Sequence, residues 1–131
     1  MPSYARAGDA GCDLFARTDT VLAPGGGRAT VATGVAIEIP AGYAGLVLSR
    51  SGLAVRHGVA CLNAPGLIDP GYRGEVAVIL VNTDPAAAYE VHRGDRIAQL
   101  VIFRVAEASF LAVDRLETSE RGDGGFGHSG R

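Results

Sequence analysis

Residues 29–39 read Ala-Thr-Val-Ala-Thr-Gly-Val-Ala-Ile-Glu-Ile and are followed by Pro40-Ala41-Gly42. Within this stretch Val35, Ile37 and Ile39 alternate with Ala36 and Glu38. Such alternation is typical of a strand with one buried face, because successive side chains point to opposite faces. Pro-Ala-Gly is typical of a tight connection. The stretch therefore predicts a strand that ends in a turn.

The same pattern recurs along the chain, with turn sequences such as Pro24-Gly25-Gly26-Gly27, Asp69-Pro70-Gly71 and Asp84-Pro85 between the apolar runs. Only one segment predicts a helix, Ser51 to His57, with Ser51 as its N-cap and Gly58 at its end. We therefore expect an all-β barrel or roll with one short helix. The further predicted strands are Ala44 to Leu48, Glu75 to Val81, Arg96 to Arg104 and Ser109 to Val113.

Length and composition indicate one domain. The chain has 131 residues, 47% of them hydrophobic and 20% charged, with a formal net charge of -2. This balance gives no reason to expect nucleic-acid or membrane binding. No apolar run resembles a signal peptide or a membrane span, so we expect a cytoplasmic protein. Cys12 and Cys61 lie far apart without a metal-ligand spacing, which favours buried reduced thiols.

The C-terminal segment differs from the rest of the sequence. From residue 119 onward the strand pattern stops, and residues 120–131 hold a single apolar residue, Phe126, among many glycines. Glycine has a large ordering cost, and little in this segment can be buried. We therefore expect a body formed by residues 1–118 and a mobile, glycine-rich arm formed by residues 119–131.

Two segments in the first half could hold a metal or a phosphate. Gly8 to Leu14 sets Asp9 and Asp13 in a glycine-rich turn before an apolar strand, which suits a magnesium ion held through its water shell. An ordinary turn with aspartates is the alternative. Arg50-Ser51-Gly52 precedes the predicted helix, whose first amides could bind phosphate. There the alternative is a helix cap beside a solvated arginine.

Two further segments present polar groups between predicted strands. Gly66 to Gly74 places Asp69 and Tyr72 around a tight turn, and the alternative is an ordinary hairpin tip. Arg93 to Leu100 places Gln99 in an apolar strand. A buried amide there would need partners that a ligand could supply, whereas an amide on the exposed face of the strand would not.

Together, five segments resemble the five motifs of the trimeric dUTPase family in order, spacing and spelling. They are Ala7 to Leu14, Arg50 to Ala54, Asn63 to Gly74, Arg93 to Leu100 and Arg121 to Gly130. The resemblance implies a distorted jelly-roll or β-barrel of the β-clip type. It also implies hydrolysis of dUTP to dUMP and pyrophosphate, which limits uracil incorporation into DNA and supplies dUMP for dTMP synthesis.

The resemblance also implies a role for each matching residue. Asp69 would be the general base for the water that attacks the α-phosphorus, and Asp13 would hold Mg²⁺ through waters. The phosphate-binding residues would be Arg50, Ser51, Gly52, Gln99, Arg121 and Ser129. The uracil and deoxyribose would contact Asn63, Ile68, Tyr72, Phe126 and Gly127, with Tyr72 excluding a 2′-hydroxyl and Phe126 stacking on the base.

Members of the family that the chain resembles are homotrimers. Each of their sites takes motifs one, two and four from one subunit, three from the next and five from the third. The chain departs from them in reaching Gly8 almost at once, where relatives usually carry an N-terminal strand before motif one. We expect this departure to affect strand pairing at the sheet edge more than chemistry.

Two other functions stay open at this stage. A dCTP deaminase would share the fold, but the strand glutamate that it uses for deamination is replaced by Ile79 in this sequence. A non-catalytic nucleotide-binding β-roll is the other alternative, because fold alone does not fix function. Asp69 argues against the second, since a pure binder gains nothing from an unpaired carboxylate aimed at a polyphosphate.

Overall fold

The computed structural model describes residues 1–124. Nine strands and one helix form in this part of the chain, and every strand pairing is antiparallel. The elements are β1 (Cys12–Phe15), β2 (Thr20–Leu22), β3 (Gly27–Ala36), β4 (Tyr43–Leu48), α1 (Ser51–His57), β5 (Val59–Cys61), β6 (Gly66–Ile68), β7 (Glu75–Asn82), β8 (Tyr89–Val91) and β9 (Arg96–Arg104).

Three sheets enclose the core. Their strand orders are β1-β9-β4-β6, β2-β8 and β3-β7-β5. Strands that are neighbours in a sheet are mostly distant in the sequence, so most contacts join distant parts of the chain. The described strands do not close into a barrel. This arrangement confirms the predicted all-β fold with one short helix.

Buried and more exposed residues alternate along β7, and the buried ones contribute to the core. Val76, Val78, Leu80 and Asn82 are buried, and the residues between them are exposed or partly exposed. The buried apolar side chains of this strand pack with those of the other sheets into one cluster. Asn82 is the polar exception on this strand, and both its amide nitrogen and its amide oxygen are hydrogen-bonded.

The two thiols belong to the same core. Cys12 is 8% exposed and Cys61 is 5% exposed, and both are free, as expected from the sequence. Burial is the largest cause that raises the pKa of each thiol above its ordinary value, and the negative charge of Asp13 also raises the pKa of Cys12. A raised pKa keeps both thiols protonated at neutral pH, which does not suit a nucleophile.

The helix has the predicted bounds, but its N-cap residue is not the predicted one. Arg50 is the N-cap residue, with φ of -85° and ψ of 121°, and it makes no side-chain capping hydrogen bond. Ser51 is already inside the helix, so its prediction as N-cap is wrong. Gly58 ends the helix as predicted, in the left-handed region at φ of 63°, where its amide donates to the carbonyls of Leu53 and Ala54.

Two strand predictions need correction. β3 ends at Ala36, although Ile39 is still buried beyond it. The alternation of apolar and other residues in the sequence therefore continues past the last paired residue of the strand. The segment Ser109 to Val113 forms no strand within residues 1–124, and the side chain of Phe110 is 92% exposed. Its sequence favours a strand, but it has no pairing partner in the described part of its own chain.

Within residues 1–124, no helix is both long and apolar enough to span a membrane.

Candidate active site

Asp13 is a buried carboxylate on β1, with 5% of its surface exposed. Arg96 Nη1 donates to Asp13 Oδ2 at 3.3 Å, and Arg50 Nε lies 3.6 Å from Asp13 Oδ1. Arg50 Nη1 also donates to the carbonyl of Arg96 at 2.7 Å. These three residues form an arginine–aspartate cluster. The two guanidinium groups compensate a carboxylate that would otherwise be costly to bury.

One oxygen of this carboxylate is left without a hydrogen bond. Asp13 Oδ1 is buried and accepts none from the residues that the structure describes. Buried polar atoms are almost always hydrogen-bonded in proteins, so an exception at a charged cluster indicates a place for a further group. Mg²⁺ usually keeps several waters and binds through one or two carboxylates together with substrate phosphates. Asp13 fits that requirement.

Gln99 and the helix start lie beside the arginine–aspartate cluster. Gln99 is directly opposite Asp13 across the β1–β9 pairing and opposite Leu48 across the β4–β9 pairing. Arg50 follows two residues after Leu48 and is the N-cap of α1, which brings Ser51 and Gly52 to the same edge. The structure therefore brings together four of the predicted phosphate-binding residues and the predicted metal-binding aspartate.

Gln99 is exposed in the single chain. The sequence left open whether the Gln99 amide is buried or lies on the exposed face of the strand, and in the single chain it lies on the exposed face. The neighbouring Ile97 and Ala98 are both buried, and the pairing of β1 with β9 shifts register between Leu14 and Phe15. This irregularity interrupts the alternation that would otherwise decide which face Gln99 occupies.

A second group of predicted residues surrounds a cavity of about 180 Å³. Asn63, Ile68, Asp69 and Tyr72 all line it, together with residues of β7. Asp69 follows the end of β6, and the amide of Tyr72 donates to the Asp69 carbonyl at 3.1 Å in a tight turn. The turn between flanking strands therefore forms as the sequence predicts, and it presents a carboxylate and an aromatic ring at one cavity.

The two groups belong to different strands of the sheet β1-β9-β4-β6. Ile68 is opposite Gly45 near the start of β4, whereas Gln99 is opposite Leu48 at its end. The groups also lie on different sides of β4, because β6 and β9 flank it. Asp13 on β1 and Ile68 on β6 are separated by three strand spacings, roughly 14 Å in all. Within one chain, Asp69 and the arginine–aspartate cluster therefore do not meet.

The predicted residues of the C-terminal arm are only partly described. Arg121 is exposed, and its Nε donates to the carbonyl of Gly124 at 2.9 Å. In residues 1–124 it makes no hydrogen bond or ion pair with either group. Phe126, Gly127 and Ser129 lie outside the described residues.

Sequence reasoning missed two residues that contact the predicted ones. Arg96 holds Asp13, although only its neighbour Gln99 drew attention in motif four. Glu75 lines the cavity, and its carbonyl accepts a hydrogen bond from Tyr72 Oη at 2.9 Å. Pairing of β1 with β9 brings Arg96 to Asp13, and a register of this kind could not be read from the sequence.

No group of three or more histidine, cysteine, aspartate or glutamate side chains that could hold a metal occurs among the described residues.

Comparisons with known proteins agree with this geometry. The dUTPase family model matches residues 1–130. Deoxyuridine 5'-triphosphate nucleotidohydrolase of Thermobifida fusca is 59% identical over 130 residues, which span 99% of this chain and 72% of that protein. The protein of the same name from Mycobacterium tuberculosis is 53% identical over 135 residues, covering 99% of this chain and 87% of its own length.

Solved structures give the same result. The dUTPase of Staphylococcus bacteriophage 80alpha with dUpNHpp superposes with a TM-score of 0.92 at 32% identity, covering 100% of this chain and 92% of that one. A mutant dUTPase of Staphylococcus aureus phage phi11, described with a structural Mg(II) ion, has a TM-score of 0.82 at 29% identity, with 90% and 92% covered. The chain belongs to the dUTPase family. Its predicted class of enzyme, dUTP diphosphatase, is confirmed.

Proposed function

We propose that the chain hydrolyses dUTP to dUMP and pyrophosphate by attack of an Asp69-activated water on the α-phosphorus. The observation that carries this proposal is the cavity of about 180 Å³ that Asp69 shares with Asn63 and Tyr72. The carboxylate of Asp69 thus stands beside a space that polar and aromatic side chains line. Relatives that are named deoxyuridine 5'-triphosphate nucleotidohydrolase supply the substrate.

In this proposal the cavity binds the nucleoside. Asn63, Ile68 and the backbone of the turn contact the uracil edge, and the ring of Tyr72 packs against the deoxyribose. Asp69 is exposed at the cavity, so a water can reach its carboxylate. Asp69 orients that water and accepts its proton as the oxygen attacks the α-phosphorus, and pyrophosphate leaves in line. A general base of this kind contributes roughly 10²–10⁴-fold to the rate.

The triphosphate carries a large negative charge, and the arginine–aspartate cluster and its neighbours supply the opposite charge. Arg50 and Gln99 donate to phosphate oxygens together with Ser51 and Gly52 at the helix start, and Arg121 and Ser129 donate from the arm. Mg²⁺ would be held by Asp13 through waters, and when bound it would neutralise charge on the phosphates. Asp13 Oδ1, buried and without a hydrogen bond in the described residues, supports that site.

We propose that the protein is a homotrimer with shared sites. Asp69 follows β6 and Asp13 lies on β1, and these are the two edge strands of one sheet, roughly 14 Å apart. This separation is large for a base and its phosphate target within one chain. A second copy that brings its cavity to the arginine–aspartate cluster of the first would complete the site. The third copy would supply the arm.

The segment after β9 supports association. Every residue from Arg104 to Asp123 is exposed in the single chain. Several large apolar side chains are among them, with Phe110 at 92%, Leu111 at 84% and Leu116 at 81% exposure. Large exposed apolar side chains in such number support an interaction site in this segment. A neighbouring subunit would cover it and would supply the strand partner that Ser109 to Val113 lacks.

The proposed reaction also suggests a place in the cell. Hydrolysis of dUTP lowers the pool from which uracil enters DNA and yields dUMP, a precursor of dTMP. We propose a cytoplasmic location, because the substrate belongs to the precursor pool for DNA synthesis. Small molecules and further copies of the chain are then its partners, without nucleic acid or membrane.

Pyrophosphate release from dUTP, compared with dCTP, dTTP and UTP, tests the function. We expect turnover of dUTP only, dependent on added Mg²⁺. Ammonia release from dCTP would favour the deaminase alternative. Ile79 lines the cavity at the position proposed for the deaminase glutamate, which gives no acid there. Tight binding of dUTP without release of either product would indicate a non-catalytic binder.

A further inference from the structure

The ring of Tyr72 packs directly over the backbone of Gly74. Its Oη donates to the carbonyl of Glu75 at 2.9 Å, which folds the side chain back over the turn that carries it. The ring is 45% exposed and lines the cavity. The hydrogen bond to Glu75 and the close approach of the ring to Gly74 define its position.

Gly74 provides that space. A Cβ atom at residue 74 would lie 2.7 Å from Tyr72 Cζ and 3.0 Å from Cε2, and closer still to the hydroxyl oxygen. Carbon atoms in contact prefer separations of about 3.5–4.0 Å. The ring therefore cannot keep its place above any residue other than glycine.

The backbone gives no other reason for glycine here. Gly74 is not among the glycines with positive φ, so alanine can adopt its conformation without strain. An added methyl group would meet only the far end of an exposed side chain, which can turn away at little cost to the fold. The effect of Gly74→Ala should thus fall on the position of the ring and much less on stability.

We propose that Gly74 is a positioning residue that sets the choice between deoxyribose and ribose by seating the ring of Tyr72. The inference rests on the proposed function, in which that ring fills the space of a 2′-hydroxyl. With a side chain at residue 74 the ring swings off the turn and loses its hydrogen bond to Glu75. The space beside the sugar then opens, and UTP gains access.

The same turn offers a matched control. Gly71 is the residue before Tyr72, it has no positive φ, and a Cβ there would meet nothing within 4 Å. Gly71→Ala and Gly74→Ala thus make the same chemical change on the two sides of one tyrosine. Only the second should displace the ring.

The experiment measures kcat/KM for dUTP and for UTP in the wild type, Gly71→Ala, Gly74→Ala, Tyr72→Ala and the Tyr72→Ala/Gly74→Ala double variant. We expect Gly74→Ala to lower the dUTP/UTP ratio roughly 10-fold or more, as loss of a steric exclusion does. Gly71→Ala should keep the wild-type ratio. In the Tyr72→Ala background, Gly74→Ala should change the ratio no further, because no ring remains to be displaced.

Each result assigns the cause. A wild-type ratio in Gly74→Ala with a lowered ratio in Tyr72→Ala would overturn the role of Gly74 and leave the sugar contact of Tyr72 intact. A wild-type ratio in Tyr72→Ala would overturn both. A further loss in the double variant would also overturn the proposal, since Gly74 would then act independently of the ring. Failure of the wild type to hydrolyse dUTP would instead overturn the proposed function.

Crystal structures of Gly71→Ala and Gly74→Ala provide a readout independent of turnover. The hydrogen bond between Tyr72 Oη and the Glu75 carbonyl should persist in the first and be broken in the second. A ring that keeps this bond in Gly74→Ala would contradict the proposal.

Discussion

Two carboxylates of this protein have opposite surroundings, and the difference matches the roles proposed for them. Asp13 is 5% exposed and is held by two guanidinium groups. Asp69 is exposed at the rim of a cavity, and no ion pair holds its side chain in the described structure. The arginines hold the carboxylate of Asp13 in place inside the protein, whereas the exposed carboxylate of Asp69 is accessible to a water.

Asp69→Asn tests whether this carboxylate is the general base. The amide keeps the size and shape of the carboxylate but cannot accept the proton of the attacking water. We expect dUTP to bind nearly as before while kcat falls by roughly 10²–10⁴. Pyrophosphate release measures kcat, and calorimetry with a slowly hydrolysed analogue measures binding. Glu90→Gln, the same change at an exposed carboxylate on β8 outside the site, is the control, and full activity in Asp69→Asn would contradict the assignment.

Among the elements, Asn82 joins three pieces of the fold. It is fully buried at the end of β7. Its Nδ2 donates to the carbonyl of Leu22 on β2 at 3.2 Å and to that of Ala87 at 2.8 Å. Its Oδ1 accepts from the amide of Asp84 at 3.0 Å. One side chain thus ties β7 to β2 and to the turn that precedes β8.

Asn82→Ala should therefore destabilise the protein. The substitution leaves buried backbone groups without partners, and we expect a loss of about 2–4 kcal/mol in the free energy of unfolding. Urea unfolding at fixed protein concentration measures it. Asn63→Ala is the same substitution at an exposed position and should change stability by less than about 0.5 kcal/mol. Equal unfolding midpoints for the two variants would show that the buried hydrogen bonds do not contribute.

Local signals explain which elements could be predicted. The helix and its end follow from a short sequence closed by Gly58, whose φ of 63° suits glycine. The long strand β9 was predicted with the bounds that the structure shows, and β4 and β7 were each predicted to within one residue. The three-residue strands β2 and β8 pair Thr20 with Val91, far apart in sequence, and three residues are too few to show an alternation. They could not be found by periodicity.

The candidate site shows the same limit. Motif spelling selected residues that the structure brings together in two groups, such as Asp13 with Gln99 and Asn63 with Asp69. Their separation across the sheet depends on the strand order β1-β9-β4-β6, which the sequence does not reveal. Ser109 to Val113 has the composition of a strand but no partner in the described part of its own chain. Its pairing would depend on another subunit, which the pattern of one chain cannot show.

For the whole molecule, the arm beyond residue 120 should be required for catalysis and dispensable for folding. The packed body ends with β9, and residues 104–123 are exposed. Removing residues 121–131 should leave the unfolding midpoint nearly unchanged and reduce dUTP turnover strongly, because Arg121 and Ser129 no longer reach the phosphates. Circular dichroism and pyrophosphate release measure the two effects. Unchanged turnover in the truncated protein would contradict a catalytic arm.

The shared site can be tested by mixing two inactive variants, Asp69→Ala and a chain truncated after Glu120. In the proposed trimer each site takes Asp69 from the second subunit and the arm from the third. A site is then whole only when the second subunit is truncated and the third carries Asp69→Ala. This order occurs once in either two-to-one mixture, so every mixed trimer should regain one of its three sites.

Separate refolding of each variant is the control, and native mass spectrometry verifies that mixed trimers form. If Asp69 and the arm of one site came from the same subunit, no mixture could restore a site, because each chain lacks one of the two. The separation of Asp69 from the arginine–aspartate cluster across the sheet supports a site built from more than one copy. Recovery of dUTP hydrolysis on mixing would require the base and the arm to come from different copies as well. Verified mixed trimers without activity would contradict this arrangement.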